Sequence, residues 1–369
     1  MRDPFFNGRG RLMLAALKAT KSVVQVTSAV QLIASLLLFV MMLSLVKEGI
    51  VVLAPALKYT DNGVLGGLGV GWIVAMLTLN GSAVAATSVA LFNADVITVN
   101  TGFGMIHGSR LGAGFMVLLL GVLYQLRGAN RKDALSTGVQ TLLVAQTVHL
   151  PAFIIGYLLL ARSGVPEIPI TRVVIGTSIL EFFLNEPLAL IETVLPGWTL
   201  LPIGFAGLLY SFSLFDKSIK SAVAYQDASL FERLPDWFYY PVTLFLIGLL
   251  VTAVTLSVSI SLALLTPLIA RGIVHHRYAL PYIMGAGVST FIDTYFAASL
   301  LQDEAGQGMV LMVAGWVALV SLLVLLFAYP AYERLIERLT DLLLEHDKVM
   351  KLYLAGLFLL PLGLIFWRM

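Results

Sequence analysis

The chain carries one segment twice, and the second copy follows the first at a distance of 177 residues. The first copy runs from Leu77 to Gly114 and the second from Val254 to Phe291, and they align without a gap. Few residues are identical. The shared pattern is a small, polar break within an apolar stretch, followed by a glycine-rich element. In a membrane protein, interrupted apolar segments at corresponding positions of two halves indicate a transport site where the halves meet.

Composition places the chain in a membrane. The sequence is 59% hydrophobic and 12% charged, and its mean hydropathy is +0.93. Apolar runs long enough to span a bilayer recur along the chain, so an all-α polytopic membrane protein is predicted. The net charge of +2 gives no case for nucleic acid, and the absence of cysteine excludes disulfides and thiol catalysis. The apolar segments are 24–46, 64–93, 96–126, 136–161, 171–194, 199–215, 239–270, 278–301, 308–329 and 350–368.

Segments 64–93 and 239–270 are too long for simple spans, and small polar residues interrupt both near their middle. Each is predicted to be a re-entrant helical hairpin that enters and leaves the membrane on one side. Irregular backbone at membrane depth is tolerated only inside protein or against a water-filled cavity. The two hairpins therefore predict an internal site.

Loop charges predict that the two repeats have inverted topology. With the basic N-terminus in the cytoplasm and segment 171–194 not crossing, every basic cluster falls on the cytoplasmic side. Each repeat would contain one re-entrant hairpin and about three spanning helices, in a cell (inner or plasma) membrane. The predicted divisions are a basic N-terminus (1–23), repeat 1 (24–161), an acidic linker (162–198), repeat 2 (199–329), an amphipathic cytosolic helix (330–349) and a final membrane helix (350–369).

The breaks read Thr78-Leu79-Asn80-Gly81-Ser82 and Thr255-Leu256-Ser257-Val258-Ser259, and the second glycine-rich element runs from Pro281 to Thr290. At these motifs the chain resembles the type II sodium-dependent phosphate cotransporter family, which carries Gln-Ser-Ser-Ser in two re-entrant hairpins. The resemblance implies sodium-coupled symport of phosphate by alternating access, with sodium as coupling ion and no other cofactor. Leu79 and Leu256 stand where the family has glutamine, and Arg110 and Gly287 stand where it has asparagine.

A half-helix that begins at membrane depth presents free N–H groups and a positive dipole end, which bind oxyanions. The predicted substrate-binding residues are therefore those at the breaks together with one arginine within a span: Asn80, Ser82, Ser257, Ser259 and Arg110. The resemblance implies sodium ligands among the hydroxyls of the second half. With one intramembrane carboxylate added, the predicted coupling-ion residues are Thr255, Ser289, Thr290 and Asp293.

Arg110 and Asp293 are the most informative single residues, because a charge within a span is costly and indicates either a functional role or pairing. Arg110 could bind an anion in bidentate fashion, replace a bound sodium ion as a fixed charge, or pair structurally. Asp293 could ligate a cation, carry a proton, or pair with Arg110. Of the histidines, His107 is a candidate for lining the cavity, whereas His149 is interpreted as a satisfied packing residue. No spacing indicates a metal site.

Three functional readings stay open. The first is the sodium-coupled phosphate symporter, and the second is a sodium-independent transporter or channel for another small solute or anion. The third is a non-transporting scaffold that binds partners through segment 171–194 and helix 332–348. No nucleophile–base grouping or ATP-coupling motif is present, so an enzyme is not predicted. Membrane lipids are expected partners, and a homodimer is compatible with the fold although no motif shows one.

Overall fold

The computed structural model describes residues 4–57, 63–128, 130–165, 186–191, 193–223, 240–258, 260–262, 265, 269 and 276–367. Within these ranges the chain is helical and contains no β-strand. The helices of the first half are α1 (Pro4–Leu57), α2 (Gly63–Thr78), α3 (Gly81–Asn93), α4 (Val99–Ala113), α5 (Phe115–Leu126) and α6 (Arg131–Ser163). Those of the second half are α7 (Gly197–Val223), α8 (Pro241–Thr255), α9 (Ala279–Ser289), α10 (Phe291–Leu300), α11 (Glu304–Leu323), α12 (Tyr329–Glu345) and α13 (Asp347–Phe366).

The helices are those of a membrane protein. In the described part of the chain, six helical stretches are long and apolar enough to cross a bilayer: Thr27–Ala54, Val99–Leu126, Ala134–Ser163, Gly197–Ser218, Glu304–Glu345 and Asp347–Phe366. Large apolar side chains also lie on the outside, among them Phe327 at 79% and Leu352 at 74% exposure. A water-soluble protein rarely exposes so many, whereas lipid accepts them. The predicted all-α membrane class is therefore confirmed.

Two helix pairs pack closely because glycine replaces a side chain at the contact. Gly71 of α2 faces the carbonyl oxygen of Met105 on α4, and Gly248 of α8 faces that of Tyr282 on α9. A Cβ atom at either glycine would collide with that backbone oxygen, so these contacts require glycine. The residues of the second contact lie 177 positions after those of the first.

A second glycine contact repeats in the same way within these two helix pairs. Gly108 of α4 faces the Leu68 carbonyl, and Gly285 of α9 faces the Phe245 carbonyl, again with 177 residues between equivalent positions. Helix α2 thus packs on α4 in the same register as α8 on α9. Helices α1 and α7 pack together as well, and Gly49 there lies directly against the backbone of Leu201.

Two predicted spans each comprise two helices. Segment 96–126 has a turn at Gly114, between α4 and α5, although Val99–Leu126 as a whole still counts as one long helical stretch. Segment 278–301 is divided at Thr290, between α9 and α10. At Thr290 the division coincides with a hydrogen bond that the Thr290 carbonyl accepts from the Arg110 side chain at 3.3 Å. As a result, segment 278–301 is not among the six long helical stretches.

Other predicted boundaries have mixed outcomes. Helix α1 is continuous from Pro4, so the predicted N-terminal segment and the first apolar segment share one helix. Helix α12 occupies the predicted amphipathic stretch and follows α11 through a short π-helical turn, Val324–Ala328. Most of the predicted linker segment 171–194 and most of the second arm of the hairpin 239–270 lie outside the described residues.

Candidate functional site

The two breaks have the same backbone. Helix α2 ends at Thr78 and α3 begins at Gly81, while α8 ends at Thr255 and helical structure resumes at Val258. In each break the leucine adopts a left-handed conformation, with φ of 55° at Leu79 and 48° at Leu256. This conformation is costly for a branched side chain and is kept only where the surroundings demand it.

Hydrogen bonds around the breaks also match. The Oδ1 atom of Asn80 accepts from the Ala83 N–H at 3.0 Å, and the Oγ atom of Ser257 accepts from the Ile260 N–H at 3.3 Å. Both residues thereby act as N-caps of the half-helix that follows.

The threonine before each break makes an equivalent bond. Thr78 Oγ1 donates to the Asn80 carbonyl at 3.5 Å, and Thr255 Oγ1 donates to the Ser257 carbonyl at 3.2 Å. Every one of these donors and acceptors has its counterpart 177 residues later. Thr255 therefore stabilises the break itself, and it does not line the central cavity.

Both breaks line one cavity of about 90 Å³ between the halves. On a scale where a water needs roughly 10–15 Å³, this volume accommodates several waters or one small solute. Asn80, Gly81 and Ser82 contribute the first turn of α3, and Ser257 and Val258 contribute the second break. The wall also contains Arg110, Thr290, His149, Asp216, Thr141, Ser321 and mainly apolar side chains such as Phe212, Met116 and Val317.

Arg110 holds the two halves together at this cavity. Its Nη2 atom donates to Asp293 Oδ1 at 3.1 Å and to Thr294 Oγ1 at 2.6 Å, and its Nη1 atom donates to Thr290 Oγ1 at 3.0 Å. Nη1 also reaches Ser82 Oγ at 3.4 Å. The side chains of Arg110 and Asp293 are only 4% and 5% exposed. The pairing considered from sequence is therefore present.

The cluster leaves capacity for further bonds. Among the described residues, Arg110 Nε and Asp293 Oδ2 have no hydrogen-bond partner. The Arg110 guanidinium also lies 5.0 Å from the centre of the Phe291 ring, a cation–π contact. Asp293 borders a smaller cavity of about 30 Å³, which Leu256 and Ser211 also line. Burying both charges is tolerable because each one neutralises the other.

The structure brings together most of the predicted site residues. Asn80, Ser82, Ser257, Arg110 and Thr290 line the central cavity, and Asp293 lies directly behind Arg110. Ser289 is buried, and its hydroxyl lies 3.5 Å from carbonyls of its own helix and does not line the cavity. Ser259 lies outside the described residues.

The two histidine predictions are reversed. His107 is fully buried between Phe103, His149 and Phe153 and does not line the cavity. His149 does line it, and its Nδ1 atom has no partner in the part of the chain that the structure describes. His149 precedes Leu150 and Pro151 in an apolar run, so the sequence alone gave no reason to place it in the site.

Asp216 and Thr141 are further cavity residues that sequence reasoning missed. Both lie in helices outside the repeated motif, so only the tertiary packing identifies them. No group of three histidine, aspartate or glutamate side chains that could hold a metal ion occurs among the described residues.

Comparison with known proteins identified no relative of this chain. No protein-family model matches the chain, and no curated protein or solved structure matches it. The functional argument therefore depends on the residues and contacts described above.

Proposed function

We propose that this protein is a secondary active transporter that moves a small inorganic anion across a cell (inner or plasma) membrane by alternating access. Its most specific form is sodium-coupled phosphate symport, which the resemblance at the two breaks favours. The observation that carries the proposal is the meeting of both capped breaks at one buried cavity. Transport sites formed by discontinuous helices at a repeat interface have this arrangement.

An anion is the favoured cargo because of the groups that face the cavity. Helix α3 begins at Gly81 with its positive dipole end on the cavity, and the second break offers a corresponding end at Val258. Hydroxyl groups of Ser82, Ser257 and Thr290 add donors. An oxyanion accepts several such hydrogen bonds without an added positive residue.

The proposal includes two repeats of inverted topology that rock or slide against each other. Support comes from the identical register of the two glycine-packed helix pairs and from the matched left-handed leucines. Rigid helix pairs of this kind can move as units around a site that stays between them.

Sodium-independent transport is the second candidate, and Arg110 favours it. Its guanidinium lies among the oxygens of Thr290, Asp293 and Thr294, two of which are predicted ligands of the coupling ion. A fixed positive charge there satisfies the carboxylate that a sodium ion would otherwise neutralise. In this form the protein needs no sodium to assemble its site.

Uptake of labelled phosphate into proteoliposomes tests the proposal. The protein is reconstituted and given an inward sodium gradient, a proton gradient alone, or neither. Accumulation with sodium supports symport, and accumulation without sodium supports the second candidate. Absence of phosphate uptake under every gradient, from protein that elutes as a single folded species, contradicts phosphate transport.

Two serine variants make the test specific to the site. Ser257→Ala removes the cap of the second break, and we expect it to lower uptake. Ser299→Ala is the matched control, because its hydroxyl donates to the Tyr295 carbonyl within α10 and does not line the cavity. Equal loss in both variants would show that the serine effect is unrelated to the cavity.

A further inference from the structure

His149 is a histidine of the cavity wall with one ring nitrogen that has no hydrogen-bond partner among the described residues. It lies within the long helix α6, is 5% exposed, and lines the cavity next to α9. Its Nε2 atom lies beside Gly287, which lines the same wall. Its Nδ1 atom has no hydrogen-bond partner among the described residues. A buried polar atom without a partner costs free energy unless function requires it.

The charges around His149 decide what it can do. Arg110 of α4 and His149 both contact the Phe291 ring. The Arg110 guanidinium carbon lies 5.0 Å from the centre of that ring, and the centre of the His149 ring lies 6.0 Å from it. The ring of His107 of α4 lies 6.1 Å from that of His149, and His107 does not line the cavity. Asp293 of α10 is paired with Arg110, and Asp216 of α7 lines the same cavity.

The Arg110–Asp293 pair contributes no net charge. A bound anion would therefore bring a negative charge that the break N–H groups and hydroxyls can hydrogen-bond but do not neutralise, which is unfavourable where the remaining wall is mainly apolar. A proton on His149 in the empty cavity would in turn add a second positive charge near Arg110, which is also unfavourable. Each event becomes easier when the other has taken place.

We infer that His149 is the proton-binding residue of the transporter, so that a proton and a monovalent oxyanion bind the cavity together. This inference rests on the proposed function in its sodium-independent form and assigns a proton as the coupling ion. On binding, His149 accepts one proton at an imidazole nitrogen and becomes imidazolium; the anion lies against it and against the break N–H groups. On release, both leave and the imidazole is neutral again. The loaded cavity carries no added charge, so its movement across the membrane is electroneutral.

The experiment measures how membrane potential affects uptake of labelled phosphate in sodium-free proteoliposomes at pH 6, where monovalent phosphate predominates. A potassium gradient with valinomycin sets an inside-negative potential. We expect wild-type uptake to be unaffected by potential. In His149→Gln the anion crosses alone, so its accumulation should fall about tenfold for each ~60 mV, the effect of potential on one elementary charge.

His107→Gln is the matched control, because it removes a buried histidine in ring contact with His149 that does not line the cavity. It should behave as the wild type. His149→Asn serves as a second variant, and phosphate exchange at zero potential verifies that each variant is folded. The inference is overturned if wild-type uptake already responds to potential as one charge, if His149→Gln stays insensitive, or if His107→Gln changes equally. Absence of wild-type uptake in these sodium-free proteoliposomes overturns the inference, and absence under an inward sodium gradient as well overturns the proposed function.

Discussion

The two breaks have similar backbone conformations, but the charged side chains near them differ. Asn80 and Ser257 cap their half-helices at equivalent positions, and the leucines before them adopt the same left-handed conformation. The charges, however, do not repeat. Arg110 corresponds to Gly287, and Asp293 corresponds to Met116, so each charged residue has a neutral counterpart in the other half.

The partners of Arg110 follow the same rule. Thr290 and Thr294 supply hydroxyls in the second half, where the first half has Ala113 and Val117. The two breaks therefore line one shared cavity, whose charged and hydroxyl contacts to Arg110 come mainly from the second half. The positions that match in both halves are those of close helix packing, whereas the charged positions at the cavity do not match.

Removal of the Asp293 charge is expected to lower stability more than any other substitution considered. Asp293→Asn leaves the buried Arg110 guanidinium without its counter-charge, and such losses cost about 3–5 kcal/mol. Thermal unfolding of the detergent-solubilised protein should show a large fall in Tm. Asp347→Asn is the control, because its ion pair with Arg131 is largely exposed, and we expect little change. An unchanged Tm in Asp293→Asn would show that the pair is not a structural requirement.

Substitution of the contact glycines is expected to give the second-largest loss of stability, and the loss should be similar in the two halves. Gly71→Ala and Gly248→Ala each place a Cβ against a backbone carbonyl, and overpacking of this kind costs about 1–3 kcal/mol. Gly315→Ala is the control, since an added Cβ would have no neighbour within 4 Å. Thermal unfolding of the three variants measures this. A loss in one half alone would contradict equivalent packing.

Removing the caps should have a moderate effect. Asn80→Ala and Ser257→Ala each delete a side-chain acceptor of a half-helix N–H group, at a cost of about 0.5–2 kcal/mol. Thermal unfolding gives the stability, and phosphate uptake gives the functional effect. We expect similar losses of stability from both. Asn80→Ser, which keeps an acceptor, should recover most of the first loss; if it does not, the cap is not the reason.

Substitution of a left-handed leucine is expected to change stability least. Leu79→Gly relieves a conformation that costs roughly 1–2 kcal/mol for a residue with a Cβ. The gain is offset by lost side-chain contacts and by the flexibility of glycine in the unfolded chain. We expect stability to change by less than about 1 kcal/mol in either direction. Leu77→Gly, within α2, should instead destabilise by about 1 kcal/mol. Chemical unfolding distinguishes the two, and similar losses would argue against strain at Leu79.

Several parts of this fold could be predicted from the sequence, because apolar length and small-residue breaks act locally. Spans near 24–46, 136–161, 199–215, 308–329 and 350–368 each correspond to a long apolar helical stretch. The breaks at Asn80 and Ser257 were predicted as well, since a polar residue within an apolar run has few other roles. The turn at Gly114 and the division at Thr290 were not predicted. At Thr290 the division accompanies a hydrogen bond from Arg110, which lies 180 residues away in sequence.

Three properties of this protein follow from its sequence alone: it forms membrane helices, two of its segments break at equivalent positions, and particular polar residues stand at those breaks. These properties depend on each segment alone, through hydrophobicity and backbone propensity. The pairing of Arg110 with Asp293, and the position of His149 rather than His107 at the cavity, are established by the three-dimensional packing. The physical reason is that the direction of a side chain on an apolar helix depends on its neighbours, which periodicity cannot reveal when every face is apolar.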